Sequence, residues 1–234
     1  MNDASVWQMF DALATRYDRI NRVLSLGQDR KWRRVMLQHL PAGDALQLLD
    51  VATGTGDVLL DLVQHCQRIN KAVGVDMAQQ MLQLAQHNKA CGMQLAHVSW
   101  QQGNAMQLPF AAATFHVVTM AFGIRNTSDP QRVLQQIHRV LKPGGRALIL
   151  EFSLPSSAWL RGGYMLYLRH IVPLLGGMLS GQKQAYRYLN QSIEQFATPQ
   201  KMLYWMQQAG FENLHVVSMN LGTVTLYCGD RHLA

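Results

Sequence analysis

Residues 48–62, LLDVATGTGDVLLDL, restrict the fold more than any other stretch of the chain. A short apolar run ends at an acid, a loop with two glycines follows, and apolar residues then recur at helical spacing. A strand feeding a helix through such a loop is the first half of a βαβ unit. Gly54 and Gly56 let the backbone turn sharply and bring its N–H groups against a ligand with no side chain in the way. The alternation continues downstream. Strands are expected at 46–51, 71–75, 95–100, 115–121 and 146–151, with helices between them. Asp129-Pro130 places a capping acid before a proline at the first helical position, and Val133, Leu134, Ile137, Val140 and Leu141 form that helix's core stripe. KPGG at 142–145 is expected to end it in a turn. Strands and helices alternating in this way imply an α/β fold, a mostly parallel sheet with helices on both faces.

After the fifth strand the pattern breaks. Residues 153–195 look helical and interrupt the alternation, and insertions in such sheets sit over the carboxyl ends of the strands, where ligands bind. Thr198-Pro199 starts a further helix that stops at Gly210, and 211–219 and 223–228 form a closing antiparallel pair. Trp7, Phe10, Tyr17 and Ile20 lie at helical spacing ahead of the first strand, so residues 1–40 or so are expected to form a helical lid. No linker or repeat divides the 234 residues, and a single domain is expected over 1–234.

The ligand follows from the acids. Asp76, at the end of the second strand, stands where a carboxylate accepts the hydroxyls of an adenosine ribose, with Met77 beside it. A dinucleotide fold expects GxGxxG, yet the third glycine's place is taken by Leu59. Acids flank the loop instead. Asp50 and Asp57 repel a pyrophosphate and suit a ligand carrying an ammonium or sulfonium, and S-adenosylmethionine has both. Asp57 serves equally well as a first-turn acid facing the helix dipole. Asn104 and the backbone of Ala105 follow the third strand, where they can read an adenine edge, and 121–126, AFGIRN, lies at the mouth of the site.

Composition narrows the partners. A net charge of +7 with only 15% charged residues favours an anionic partner, and the clearest cluster, DRKWRR at 29–34, reads equally as a solvated helix face. Cys66, Cys91 and Cys228 show no paired spacing, so they are expected to be buried small residues in a reducing compartment, with no metal. The N-terminus lacks a basic start followed by an apolar core, and a cytoplasmic location is expected. IVPLLGGML at 171–179 is about half the roughly 20 residues a bilayer span needs and is broken by proline and glycines.

Taken together, FDALATRYDRIN (10–21), LLDVATGTGD, GNAMQLPF (103–110), FGIRN, RVLKPGG, LEFS (150–153) and YRYLNQSI (186–193) resemble the class I methyltransferases, and within them the ubiquinone/menaquinone biosynthesis C-methyltransferases. The resemblance implies a Rossmann-like, seven-stranded sheet whose last strand is antiparallel, S-adenosylmethionine as methyl donor, and methylation of a ring carbon on a polyprenylated quinol. Its motifs put cofactor contacts on Thr55, Asp76, Asn104 and Ala105. Ala121 stands where some members carry a serine, so no side-chain hydrogen bond is made there. Asn104 stands where many carry an aspartate.

Ring-carbon methylation needs the reduced, electron-rich quinol, held in line with the S–CH₃ bond. Arg125 is assigned to stabilise phenolate charge and Asn126 to hold a quinol oxygen or a relay water; an arginine, always charged, does not accept protons. The alternative for Arg125 is a structural ion pair. Tyr17, Asp18, Tyr186 and Tyr188 are candidates to close the pocket, and residues 165–179 to line a prenyl channel. A tail of that kind brings the enzyme to the membrane, where the basic cluster would meet anionic lipid at the inner face. Nucleic acid is not expected as a partner, since no RNA-binding module is appended; a homodimer is left open. The competing readings are an S-adenosylmethionine-dependent methyltransferase acting on another small molecule or on RNA and, behind these, a nicotinamide-dependent oxidoreductase, which shares the GxG and the acid after the second strand.

Overall fold

The computed structural model describes residues 22, 24–92, 95, 97–174, 177 and 183–233. The helix expected near the N-terminus, with Tyr17 and Asp18, lies outside them. Helix α1 (Asp29–Gln38) precedes strand β1 (Leu46–Val51), α2 (Asp57–His65), β2 (Ile69–Asp76), α3 (Gln79–Gly92), β3 (Val98–Gln102) and β4 (Phe115–Ala121). Then come α4 (Pro130–Val140), β5 (Leu141–Phe152), α5 (Ala158–Leu166), α6 (Lys183–Gln195), α7 (Pro199–Gln208), β6 (Phe211–Met219) and β7 (Val224–Arg231).

The strands form one seven-stranded sheet in the order β3-β2-β1-β4-β5-β7-β6, parallel except that β7 runs against both β5 and β6. This is the expected architecture. β1 and β4 are central and buried on both faces, which is why LQLLDV and FHVVTMA read as continuous apolar runs rather than alternating ones. β6, at the edge, exposes most of its residues. Its exposed His215 and Glu212 blunt an edge that would otherwise pair with another chain.

Two helical layers cover the sheet. On one face α1 and α2 bury Trp32, Met36, Leu59 and Leu62 against Leu48, Leu148 and Leu226; on the other, α4 and α7 bury Val133, Ile137, Met202 and Met206 against Leu49, Val118 and Tyr227. The cap reading holds for both proline starts: Asp129 Oδ1 accepts from the Arg132 N–H at 2.9 Å, and Thr198 Oγ1 from the Lys201 N–H at 3.3 Å.

Several boundaries differ from expectation, three of them at strand starts within the parallel part of the sheet. β5 begins at Leu141 rather than after KPGG, because Leu141 already faces Phe115 while Val117 faces Arg146, so the intervening residues bulge from a continuing strand. β2 begins two residues earlier, and β3 starts at Val98 instead of Leu95, which is buried ahead of the strand. Within the expected lid, residues 29–38 pack onto the sheet through Trp32 and Met36, which belong to the core.

Chain direction along the sheet reverses at β1, where β2 pairs on one side and β4 on the other. The carboxyl ends of β1 and β4 therefore open into a crevice, the place where such sheets hold ligands.

Candidate active site

A cavity of about 670 Å³ fills that crevice, within the range of small-molecule sites. Gly54, Thr55, Asp76, Met77, Asn104, Ala105, Ala121, Arg125, Asn126 and Tyr186 line it, so ten of the residues singled out from sequence meet around one space. Three do not reach it. Asp50 and Gly56 lie behind the glycine loop, and Tyr188 acts at one remove, its hydroxyl donating to Asn126 Oδ1 at 3.2 Å.

The two loop glycines do different work. Gly54, left-handed at φ +57°, has nothing within 4 Å of where a Cβ would stand, so its bare backbone faces the open cavity. Gly56, at φ +82°, would place a Cβ 2.5 Å from the Trp100 ring, and Gly74 in β2 would meet the same ring at 2.5 Å. Gly56 thus supplies the close helix–strand approach for which a dinucleotide loop uses its third glycine. That is why Leu59 can occupy the third position. Asp76 is fixed by the backbone it terminates: Oδ2 accepts from the Gly54 N–H at 2.8 Å and Oδ1 from the Ala78 N–H at 2.9 Å. A carboxylate tied to the loop in this way, beside bare backbone and the Asn104–Ala105 turn, fits an adenosine ribose and base. The Asn104 side chain shapes its own turn, Oδ1 accepting from the Met106 N–H at 2.9 Å.

The flanking acids need correction. Asp50 is 1% exposed, its carboxylate accepting from the hydroxyls of Thr53 and Thr119, each at 2.6 Å. It buttresses the loop from below and does not line the cavity. Asp57 does line the cavity, but its charge is met by Arg33 at 3.5 Å and Arg22 at 4.0 Å. What faces the cavity near the ends of β4 and β5 is aromatic. Phe122 and Phe152 stack with ring centroids 4.5 Å apart, and Trp32 closes on Phe122 at 5.6 Å, held by its Nε1–H donated to Asn220 Oδ1 at 3.1 Å. Ring faces are negative and accommodate a sulfonium without the desolvation that a buried carboxylate demands.

Burial pushes the Asp50 carboxyl up to about 6, against the opposing hydrogen bonds from Thr119 and Thr53. Since its folded pKa exceeds the unfolded 3.8, the native state holds the proton more tightly. Its contribution to stability is complete below the unfolded value and is lost as pH rises through the folded one. Asp50→Asn should therefore gain on the wild type by up to about 3 kcal/mol between about pH 4 and pH 7 in urea denaturation, a shift of about two pKa units. A pH-independent difference between the two proteins contradicts this.

Arg125 lies in the short 3₁₀ turn after β4, and its guanidinium donates Nη1–H to Glu151 Oε1 at 2.7 Å and to the Phe122 carbonyl at 2.6 Å, with Nε 3.4 Å from Ser192 Oγ. The two side chains are 2% and 0% exposed. The structural ion pair weighed as the alternative is what the geometry contains, so Arg125 brings no uncompensated charge to the cavity. Its Nη2 takes part in none of these bonds. Burial pushes Glu151 upward while Arg125 and the Phe152 N–H pull it back. Asn126 donates Nδ2–H to the Phe122 carbonyl at 3.3 Å while accepting from Tyr188, which fixes the amide's orientation.

Sequence reasoning missed Glu151, Tyr164 and the aromatic wall. Glu151 carried a legible signal, an acid at the end of the apolar run ALIL. Tyr164 carried none: it comes from α5, and its hydroxyl is pushed upward by burial against the pull of Arg125. With its proton held this tightly, it is neutral at ordinary pH. The DRKWRR cluster also divides: Arg30, Lys31 and Arg34 are exposed, whereas Trp32 and Arg33 point inward, Arg33 between Asp29, Asp57 and Asp61.

The sheet order, the antiparallel β7 and the crevice at β1/β4 define a class I methyltransferase fold. A Thermotoga maritima structure described as a methyltransferase dependent on S-adenosylmethionine superposes with a TM-score of 0.67 at 19% identity, covering 97% of this chain and 99% of that one. The cyclase SpnF superposes at 0.72 with 15% identity over 100% and 98%, so this fold also serves other reactions. Sequence carries the assignment further: the model of the ubiE/COQ5 methyltransferase family matches residues 1–231, and the chain belongs to that family. The ubiquinone/menaquinone biosynthesis C-methyltransferase UbiE of Geotalea uraniireducens is 39% identical over 97% of this chain and 96% of its own length. The demethylmenaquinone methyltransferase of Lactiplantibacillus plantarum is 37% identical with the same coverage.

Proposed function

We propose that the protein transfers a methyl group from S-adenosylmethionine to a ring carbon of a polyprenylated quinol, in keeping with relatives named as C-methyltransferases of ubiquinone/menaquinone biosynthesis and as demethylmenaquinone methyltransferases. One observation carries the reading: a single cavity is lined by the glycine loop and Asp76 and also by Leu168, Val172, Leu189 and Ile193. The first group suits a polar nucleoside and the second an isoprenoid chain. A head group reaching both would be presented to Asn126 and Tyr164, which line the same cavity. When bound, S-adenosylmethionine supplies an electrophilic methyl group. The chain's residues position the ring: Asn126, locked by Tyr188 and Phe122, offers a fixed polar edge to a quinol oxygen, and the Tyr164 hydroxyl a second. The Phe122–Phe152–Trp32 wall excludes water and offers its ring faces to the sulfonium. Arg125, neutralised by Glu151, anchors the turn that carries Asn126. Mass analysis of quinones in cells lacking the protein tests the reading. A pool lighter by one methyl group, restored by the wild-type chain, is expected; an unchanged pool refutes it.

Contact with the membrane, where such a substrate resides, is part of this proposal. No described helix is long and apolar enough to cross a bilayer. α5 and the helical segment that continues it through residue 174 nonetheless expose Trp159 (91%), Leu166 (63%) and Leu174 (55%), with Arg161 among them. Apolar side chains of this size beside a basic residue suit an anionic lipid surface. Vesicle flotation should recover the wild type severalfold better with acidic lipid than without, and Trp159→Ser/Leu166→Ser should lower recovery in both. Equal recovery of variant and wild type counts against this face.

A further inference from the structure

We propose that His39, His215 and Cys228 form a zinc site that fastens the end of α1 to the β6–β7 edge of the sheet. Their ligand atoms all lie within 4.8 Å of one another, and the imidazole centroids are 5.8 Å apart. None of the three lines the cavity. Zinc bound tetrahedrally to nitrogen at about 2.0 Å and sulfur at about 2.3 Å holds such atoms about 3.3–3.6 Å apart. Reaching that spacing from 4.8 Å draws the side chains together by up to about 1.5 Å.

The independent sign is the second ring nitrogen of each histidine. His39 Nδ1 lies 2.8 Å from the Val35 carbonyl and His215 Nδ1 3.2 Å from the Asn213 carbonyl. Donation of Nδ1–H to a carbonyl fixes the tautomer that leaves Nε2 with its lone pair, the arrangement metal-ligating histidines use. The frame is rigid as well. His215 and Cys228 are direct partners on antiparallel strands, so their side chains project from the same face, while His39 caps α1 beside them. The neighbouring Arg146 is balanced by Asp230 at 2.6 Å and does not oppose a cation with a free charge. Thiolate with two imidazoles selects zinc over calcium or magnesium, and three protein ligands leave a fourth position for water.

α1 also carries Trp32 and Arg33, both on the cavity wall, so the ion would tighten one wall without touching the reactants. The linear spacing concealed the site because its ligands come from three separate elements.

Cobalt substitution tests the proposal on the untagged full-length chain after chelation. One equivalent of Co²⁺ should give a thiolate-to-metal charge-transfer absorption that Cys228→Ser abolishes and Cys66→Ser retains. His215→Gln, at an exposed edge position where folding is insensitive, should weaken Zn²⁺ binding by at least about tenfold in a competition titration and remove the zinc-dependent rise in Tm. A charge-transfer band that survives Cys228→Ser, or unchanged zinc affinity in His215→Gln, overturns it. Should Cys228→Ser fail to fold, His215→Gln alone decides. The outcome is independent of methyl transfer.

Discussion

Replacing Gly56 with alanine is expected to lower stability by about 2–5 kcal/mol, the sum of a left-handed conformation that an L side chain resists and an overpacked contact. The new methyl group would stand 2.5 Å from Trp100 Cη2 and 3.3 Å from Ala85 Cβ at φ +82°, and the same ring lies 2.5 Å from where a Cβ on Gly74 would stand. Gly54→Ala is the control. It shares the left-handed backbone but faces open space, so it should cost only about 1–2 kcal/mol in urea denaturation while weakening S-adenosylmethionine binding in calorimetry. Trp100→Leu combined with Gly56→Ala should recover the steric part of the loss and leave the backbone part, a non-additivity that a double-mutant cycle reads directly. Equal losses of stability in the Gly54 and Gly56 variants would show that the loop is not seated on Trp100.

Glu151→Ala should be the most damaging change of a single charge, about 3–5 kcal/mol, because it strands the Arg125 guanidinium in a site where its side chain is 2% exposed. Arg125→Met/Glu151→Leu removes both charges together and should lie closer to the wild type in stability than Glu151→Ala does. Activity should not follow that order. If Arg125 anchors the turn holding Asn126, methyl transfer stays low in the double variant even where the fold is restored. A double variant with full activity would remove Arg125 and its turn from the site's organisation.

The difference between what was legible and what was not is clear at particular residues. Asp129 and Thr198 announced their helices because a cap is settled within three residues of chain, and the hydroxyl or carboxylate meets its N–H whatever the rest of the molecule does. Asp76 was legible for the same reason: a strand end beside a glycine loop leaves little choice of what the acid meets. Asp50 misled, although it belongs to the same motif, because whether an acid at a strand terminus faces the crevice or the interior depends on Thr119 from β4, a neighbour that only sheet assembly supplies.

The linear chain by itself determined the alternating elements, the antiparallel closing pair and most of the residues that gather around the crevice, since periodicity and turn chemistry act over a few residues. Only the tertiary structure decided that Arg125 spends its charge on Glu151, that Gly56 yields to Trp100, that Arg33 turns inward to three acids, and that His39 meets His215 and Cys228. Each of these is a pairing between segments remote in the chain. Burial removes the water that would otherwise satisfy such groups, so the partner's position in space sets their charge and role.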